Sequence, residues 1–310
     1  MTDMAINTEN LTREFNGLRA VDSLTIEVPK GIIFGFLGPN GAGKTTTIRL
    51  LLGLIDPTSG AASVLGFDTK RQAGLVREKS GALLENHGLY EKLSAEDNLE
   101  YYGRIYGMSS EERRERISEL LNHIGLWERR KENIERWSKG MKQKLAIARV
   151  LLHRPPLVFL DEPTAGFDPV AAAALRDDLA NLVAYEGLTV FLTTHNLAEA
   201  EKLCDRVAVI NKGRLIAEGH PEELLGEQGS CTVEIHGRGF SQNVIESLNK
   251  RPEVISAGIN NGIVNLRISH GSSTAPLIKL LVGLDAEVEE VRRVTASLEE
   301  SFLQLMEGKN

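Results

Sequence analysis

The stretch between residues 38 and 46 constrains this chain more than any other part of its sequence. It reads Gly-Pro-Asn-Gly-Ala-Gly-Lys-Thr-Thr and fits the pattern G-x-x-x-x-G-K-[ST]. Glycines at this spacing let backbone N–H groups close around a polyphosphate, which larger side chains would block. An apolar run of strand length, 31–37, precedes the loop, and a helical pattern over 45–54 follows it. Because that helix would direct its positive N-terminus at the phosphates, the sequence predicts a nucleoside triphosphate site.

Eight residues of this stretch are predicted to bind the nucleotide. Lys44 would reach the β- and γ-phosphates and assist catalysis, and the Thr45 hydroxyl would ligate Mg²⁺. The full set is Gly38, Asn40, Gly41, Ala42, Gly43, Lys44, Thr45 and Thr46. The alternative is a chance match in a glycine-rich turn, but the strand before the loop and the helix after it make an accident rarer.

The length and composition bound what the rest of the chain can do. A chain of 310 residues suggests two domains, and a formal net charge of −7 argues against binding nucleic acid through a basic face. Two cysteines without metal-ligand spacing suit a reducing compartment. We expect no signal peptide, because the first ten residues contain neither a basic nor an apolar segment. We also expect no membrane span, because no stretch approaches about 20 apolar residues.

Hydrophobic periodicity predicts an α/β fold with a helical insertion. Residues 4–28 read as antiparallel strands, and Phe15 within them either packs in the core or stacks on a nucleotide base. A helical block over about 87–155 interrupts the alternation of strands and helices. The frame returns with the apolar strands 157–160 and 189–194, which indicate a mostly parallel sheet covered on both faces.

The end of the chain reads as a second, smaller domain. After a glycine-containing linker, the pattern over 227–310 is β-α-β-β-α-β with a final helix over 297–306. That order matches a split βαβ, ferredoxin-like α+β unit. We therefore predict a nucleotide-binding domain over 1–226 and an accessory domain over 227–310.

Chemically useful side chains follow two of the predicted buried strands. Asp161 and Glu162 come after one strand, and His195 comes after the next strand of the sheet. Ligands of an open parallel sheet bind at the carboxyl ends of its strands, and unpartnered buried charges are costly. We expect Asp161 to hold Mg²⁺, Glu162 to orient or deprotonate the attacking water, and His195 to bond both the γ-phosphate and Glu162. The alternatives are solvated acids at a strand end and a structural histidine.

From about residue 4 to 226, the order of these motifs resembles the ATP-binding subunit of an ABC transporter. In that resemblance, Phe15 stands where an aromatic ring stacks on adenine. Residues 38–46 correspond to the Walker A loop, 157–161 with Glu162 to the Walker B strand and catalytic glutamate, and His195 to the switch histidine. The implied fold is that of a phosphate-loop ATPase with an antiparallel β subdomain and an inserted helical subdomain.

Two further motifs of that family imply a second chain. Residues 165–168 fall at the D-loop, which ends in Asp168, and 138–143 fall at the signature motif. In the family, Ser138 and Gly140 at the start of a helix would contact the γ-phosphate held by the other subunit. The resemblance therefore implies a homodimer or heterodimer that closes around two ATP molecules.

This sequence departs from the family pattern in two places. The signature reads Trp-Ser-Lys-Gly-Met over 137–141 instead of Leu-Ser-Gly-Gly-Gln, and Glu85 stands where a glutamine is usual. Glu85 can still ligate Mg²⁺ but adds negative charge beside the phosphates, so we expect ATP to be tolerated only with Mg²⁺ bound. Both departures, with the sequences over 88–103 and 297–308, resemble the ABC-2 type exporter branch, which handles drugs, sodium, and lipids or polysaccharides.

The resemblance implies an ATPase at the cytoplasmic face of a membrane, coupled to an integral membrane permease of about six helices. Four tyrosines of the helical block would meet that permease or are plain core and surface residues: Tyr90, Tyr101, Tyr102 and Tyr106. A soluble ABC protein acting on ribosomes or DNA is the first alternative, disfavoured by the single phosphate loop and the negative charge. A regulatory subunit with weak hydrolysis is the second, which the intact Lys44, Asp161, Glu162 and His195 oppose.

Overall fold

The computed structural model describes residues 3–165, 167, 169–226, 230–260, 262–269 and 272–294. The chain divides between Gly219 and His220 into two compact units. Among the described residues, no helix combines the length and apolar character that crossing a bilayer requires.

The first unit is built from two sheets and seven α-helices of the described chain. Its strands are β1 (Met4–Phe15), β2 (Leu18–Leu24), β3 (Glu27–Pro29), β4 (Ile33–Leu37), β5 (Ser59–Val64), β6 (Phe67–Asp68), β7 (Ser80–Leu83), β8 (Leu157–Asp161), β9 (Thr189–Thr194), β10 (Arg206–Asn211) and β11 (Arg214–Gly219). Its helices are α1 (Lys44–Leu51), α2 (Ala73–Lys79), α3 (Ala95–Ile105), α4 (Ser110–His123), α5 (Lys139–Leu151), α6 (Pro169–Glu186) and α7 (Leu197–Leu203).

The two sheets differ in strand direction. The central sheet has the order β11-β10-β4-β9-β8-β7 and is parallel except for β11, which runs antiparallel to β10. The other sheet has the order β2-β1-β5-β6, with β3 also paired to β1, and is antiparallel throughout. The α/β class and the antiparallel subdomain predicted from the sequence are both confirmed.

The central strands are held by a buried aromatic cluster. Every residue of β4, β8 and β9 is buried, as expected of strands covered on both faces. The Phe191 ring lies 5.4 to 5.7 Å from the rings of Phe34, Phe36 and Phe159 on the two neighbouring strands. Ring separations in this range favour packing beyond simple burial. The cluster fixes β4, β8 and β9 side by side, and their carboxyl ends meet at one edge.

Side-chain caps set the start of each helix in the inserted block. Ser94 caps α3 by accepting a hydrogen bond from the Asp97 amide at 3.0 Å. Ser109 and Glu112 form a reciprocal capping box at the start of α4. The hydroxyl-then-acid pattern predicted this start from the sequence. Within the block, α4 is tied to α5 by the buried Arg116, which donates to the Leu151 carbonyl at 2.8 Å.

The second unit is an antiparallel sheet with helices. Its elements are α8 (Pro221–Gly226), β12 (Ser230–Arg238), α9 (Gln242–Asn249), β13 (Val254–Asn260), β14 (Ile263–Ser269), α10 (Ala275–Gly283) and β15 (Glu287–Val294). The strand order β13-β14-β12-β15 is that of a split βαβ unit and matches the pattern predicted from the sequence. The predicted helix over 297–306 lies outside the described residues.

The outer edge of β13 is covered by a side chain of the same unit. Asn249 donates to the Ala257 carbonyl at 3.2 Å and accepts from the Ala257 amide at 2.8 Å. An amide side chain in this position uses the backbone groups that a further strand would need. The edge of β13 is therefore closed to strand addition at Ala257.

Candidate functional site

A cleft of about 490 Å³ opens where the central strands end. Strand register brings the site together: Leu37 of β4 lies beside Thr194 of β9, and Thr193 lies beside Asp161 of β8. Nine residues predicted from the sequence line this cleft: Asn40, Gly41, Gly43, Lys44, Thr45, Thr46, Glu85, Asp161 and Glu162. The pairing of neighbouring strands therefore assembles residues that are more than 100 positions apart in the sequence.

Two glycines of the loop have no room for a side chain. A Cβ at Gly38 would lie 2.4 Å from the Ile210 carbonyl oxygen. A Cβ at Gly43 would lie 2.3 Å from the Ala20 carbonyl oxygen, and the φ of Gly43 is 110°. Backbone packing thus accounts for both glycines, while Ala42 between them is buried and accepts a hydrogen bond from the Gly213 amide. The loop is held against β10, β2 and the β10–β11 turn.

Lys44, the first residue of α1, is the buried cation of the cleft. Its Nζ donates to the carbonyl of Gly38 at 2.7 Å and to that of Pro39 at 3.2 Å. The same atom lies 3.0 Å from Oε1 of Glu162, and only 6% of the Lys44 side chain is exposed. A desolvated ammonium beside a carboxylate is screened little by solvent, so this charge acts strongly on any anion that enters the cleft.

Thr45 and Asp161 form the candidate metal centre. The Thr45 hydroxyl donates to Oδ2 of Asp161 at 2.7 Å, and the Thr193 hydroxyl donates to Oδ1 at 2.5 Å. Hydroxyl and carboxylate oxygens are the ligands that Mg²⁺ prefers, with phosphate and water completing its octahedron. The donor set therefore fits Mg²⁺. Among the described residues, no three acidic, histidine or cysteine side chains are grouped closely enough to hold a metal ion by themselves.

Glu162 occupies a strained backbone position between two side-chain partners. Its φ is 50°, in the left-handed region that residues other than glycine rarely adopt. Its amide donates to the carbonyl and hydroxyl oxygens of Thr193, both at 3.1 Å. Its Oε2 lies 2.7 Å from Nδ1 of His195, and its Oε1 faces Lys44. Strained residues of this kind concentrate at functional sites, which supports a catalytic role for Glu162.

Glu85 lines the cleft but is largely exposed. Its side chain is 76% exposed, and Oε2 lies 3.9 Å from Nη2 of Arg49 on α1. An exposed pair at this distance contributes little to stability. Glu85 is thus free to exchange Arg49 for another cation, and it adds a negative charge to the same edge as Asp161 and Glu162.

Phe15 lies apart from the residues that line the cleft. It ends β1 with 41% of its surface exposed, and the guanidinium of Arg13 lies 4.4 Å from its ring centre. The described lining includes Ala20 of the adjacent β2 but not Phe15. Phe15 is therefore not a core residue; its exposed ring remains a candidate surface for a base.

Ser138 and Gly140 of the signature are not among the described residues that line the cleft. Ser138 caps α5 by accepting from the Met141 amide at 3.3 Å, and its side chain is exposed. Gly140 approaches the Phe167 ring, where an added Cβ would be 3.9 Å from the nearest ring carbon. Neither residue is among the described lining of the cleft. Asp168, predicted at the D-loop, lies outside the described residues.

Three residues that were not predicted to line this chain's own cleft do so: His87, and Lys139 and Gln143 from the signature stretch 138–143. Burial lowers the pKa of His87, and the nearby charges of Lys139 and Lys142 act in the same direction. Gln143 is 5% exposed and shares one face of α5 with Ile147 and Leu151. A polar residue within this apolar stripe was the sequence signal for a special role at Gln143.

The arrangement combines an anion-binding loop, an oxygen-ligand pair for a metal, and a carboxylate that contacts a histidine.

The chain itself resembles known proteins over almost its whole length. The family model described as "ABC transporter" matches residues 21–165. The chain is 35% identical to the bacitracin transport ATP-binding protein BcrA of Bacillus licheniformis, over 98% of this chain and 97% of that one.

A second relative and a solved structure agree with the family match. The chain is 43% identical to the daunorubicin/doxorubicin resistance ATP-binding protein DrrA of Streptomyces peucetius, over 74% of this chain and 70% of that one. A solved structure described as the ATP binding subunit of an ABC transporter aligns with a TM-score of 0.65 and 33% identity. That alignment covers 73% of this chain and 93% of the solved one.

Proposed function

The chain belongs to the ATP-binding proteins of ABC transporters, and from that premise we propose that it hydrolyses Mg²⁺-ATP to power export through a membrane permease. The single observation that carries the hydrolytic part is the contact of Glu162 with both Lys44 and His195 at the edge of the cleft. A carboxylate held between a phosphate-binding cation and a histidine is placed to act on water beside a phosphate.

Each residue of the cleft has a distinct part in the proposed reaction. The loop amides and Lys44 bind the β- and γ-phosphates, and the developing negative charge is stabilised by the buried ammonium. Thr45 and Asp161 would hold Mg²⁺, which neutralises charge on the phosphate oxygens when bound. Glu162 accepts a proton from the attacking water, and His195 keeps the carboxylate oriented through Oε2.

The positions of the signature residues support a reaction that needs two chains. Ser138 caps α5 and is not among the described residues that line the cleft, so its exposed hydroxyl is open to a second chain. A second subunit that supplied its phosphate loop to this surface would complete the anion site. We propose a dimer, of identical or related chains, that encloses two ATP molecules.

Export is the transport reaction that the names of the relatives favour. BcrA and DrrA are named for bacitracin transport and for daunorubicin and doxorubicin resistance. These two ATP-binding proteins and this chain align over most of their lengths, and this favours the export function over a soluble role on ribosomes or DNA. The proposed permease partner, of about six helices, would bind the helical block near Tyr90 and Tyr101, which are both exposed.

Affinity purification of the tagged chain from detergent-extracted membranes of its own cells tests the transport proposal. We expect one integral membrane protein of about six predicted spans to be recovered in comparable amount. In vesicles that contain this protein, ATP hydrolysis by the chain should rise severalfold. Recovery of ribosomes without an integral membrane protein would contradict the transport proposal and leave the hydrolytic one standing.

Replacing Glu85 with glutamine should weaken the dependence of ATP binding on Mg²⁺. Removing one exposed negative charge beside the phosphates is worth about 1 kcal/mol, or roughly fivefold in affinity. We therefore expect the Kd for metal-free ATP to fall severalfold in Glu85→Gln, with a smaller change when Mg²⁺ is present. Calorimetric titration with ATP, in EDTA and in Mg²⁺, gives both constants.

Glu91→Gln is the matched control for Glu85→Gln. Glu91 is 57% exposed, follows Glu85 closely in the chain, and pairs with Lys142 outside the described lining of the cleft. An equal response of the two variants, or an unchanged ratio of the two Kd values in Glu85→Gln, would show that Glu85 does not face the phosphates.

A further inference from the structure

The segment that follows Glu162 is hydrogen-bonded to the first turns of α5. Nε2 of Gln143 donates to the Pro163 carbonyl at 2.7 Å, and Nζ of Lys139 donates to the Ala165 carbonyl at 2.5 Å. Residues four apart lie on the same face of a helix, so both side chains reach the segment from one side. Lys139 is exposed at the surface, whereas Gln143 is 5% exposed.

These contacts act on a backbone that is strained. The left-handed conformation of Glu162 persists only where its surroundings fix it from more than one direction. On one side, the Glu162 amide is bound by the carbonyl and hydroxyl of Thr193. On the other side, the next residue is bound through its carbonyl by Gln143. Thr193 therefore holds the peptide unit that precedes Glu162, and Gln143 holds the peptide unit that follows Pro163, the next residue.

Packing alone does not account for a glutamine at this position. The face of α5 that carries Gln143 continues with Ile147 and Leu151, both buried, and an apolar residue would satisfy it without the cost of burying an amide. The amide is compensated by a hydrogen bond to one backbone carbonyl, that of Pro163, and this residue is bonded directly to Glu162.

We propose that Gln143 is a positioning residue for Glu162, which it holds in the orientation that hydrolysis requires. The proposal rests on the proposed function, because it gives Glu162 the role of activating water. It also links two parts of the site: Ser138 caps the helix that carries Gln143, so a displacement at the start of α5 would shift Pro163, the residue that follows Glu162. Occupation of the signature by a second chain's nucleotide would thereby reach Glu162 through one side chain.

Gln143→Met tests this proposal, because methionine keeps the shape of the side chain and removes the donor. We expect kcat per ATP-binding site to fall about 10- to 100-fold, since a displacement near 1 Å has an effect of that order. The KM for ATP and the number of ATP molecules bound per chain should stay within about twofold. Lys144→Met, the next residue on α5, pairs with Asp178 instead and should retain wild-type kcat.

A double-mutant cycle separates positioning from general damage. If Gln143 acts through the Glu162 carboxylate, Gln143→Met should not lower the residual rate of Glu162→Gln any further. A wild-type kcat in Gln143→Met would overturn the proposal. So would an equal fold-loss of rate when Gln143→Met is added to the wild-type chain and to Glu162→Gln. Should the methionine variant not fold, Gln143→Asn serves the same purpose, because its shorter side chain keeps the amide but falls short of Pro163. A wild-type kcat in Gln143→Asn would also overturn the proposal. Full activity of Glu162→Gln would instead refute the proposed function itself.

Discussion

Glu162→Gln should lower ATP hydrolysis by about 10²- to 10⁴-fold while ATP still binds. Glutamine has the same shape but cannot accept a proton from water. It also removes a negative charge 3.0 Å from Lys44, so the Kd for ATP should stay the same or fall. Steady-state release of phosphate, with a parallel titration of ATP, measures the two quantities on the same preparation.

Glu218→Gln is a closely matched control for that variant. The Glu218 side chain is 20% exposed against 23% for Glu162, and it lies 2.9 Å from Arg206, but it belongs to β11 outside the described lining of the cleft. We expect its rate of hydrolysis to remain within about twofold of wild type. Undiminished hydrolysis by Glu162→Gln would remove the general-base assignment, whatever Glu218→Gln does.

Lys44→Ala should abolish ATP binding at ordinary nucleotide concentrations. Truncating one partner of a buried, hydrogen-bonded charge pair costs about 2–5 kcal/mol, which is a loss of roughly 30-fold or more in affinity. The variant also leaves Glu162 without its cation, which adds repulsion against the phosphates. Equilibrium binding of a fluorescent ATP analogue, with Mg²⁺ in excess, measures the effect, and hydrolysis should fall in parallel.

Lys30→Ala controls for the loss of a lysine as such. Lys30 pairs with Asp3 at the surface with 45% of its side chain exposed, so its removal should leave nucleotide affinity unchanged. An affinity in Lys44→Ala within threefold of wild type would mean that the phosphates are bound elsewhere in the chain.

The elements of this site could be predicted from the sequence because buried strands appear as continuous apolar runs. The apolar runs that became β8 and β9 end at Asp161 and Thr194, and the polar residues that follow them carry the chemistry. The loop between β4 and α1 was predicted equally well from its glycine spacing, because Gly38 and Gly43 leave no room for a side chain. The helix boundaries differ: the predicted helix over 45–54 is observed as Lys44–Leu51.

The contacts that the sequence did not reveal are those made between distant segments. The approach of Arg49 to Glu85 depends on where α1 packs against the segment after β7, and no local pattern encodes that distance. The bond from Gln143 to Pro163 depends on the placement of α5 beneath the end of β8. The position of Phe15 relative to the cleft likewise depends on the course of the β1–β2 hairpin. The sequence showed only that this residue is aromatic.

The mass of Glu162→Gln in solution, measured by sedimentation with Mg²⁺-ATP and then with Mg²⁺-ADP, tests the central claim most directly. We predict twice the chain mass with one ATP per chain in the first case and a lower mass with ADP. Adding Ser138→Arg should keep ATP binding and prevent the shift, because the serine is needed only in trans. A Glu162→Gln chain that binds ATP fully and shows the same mass with either nucleotide would contradict a site shared between two chains.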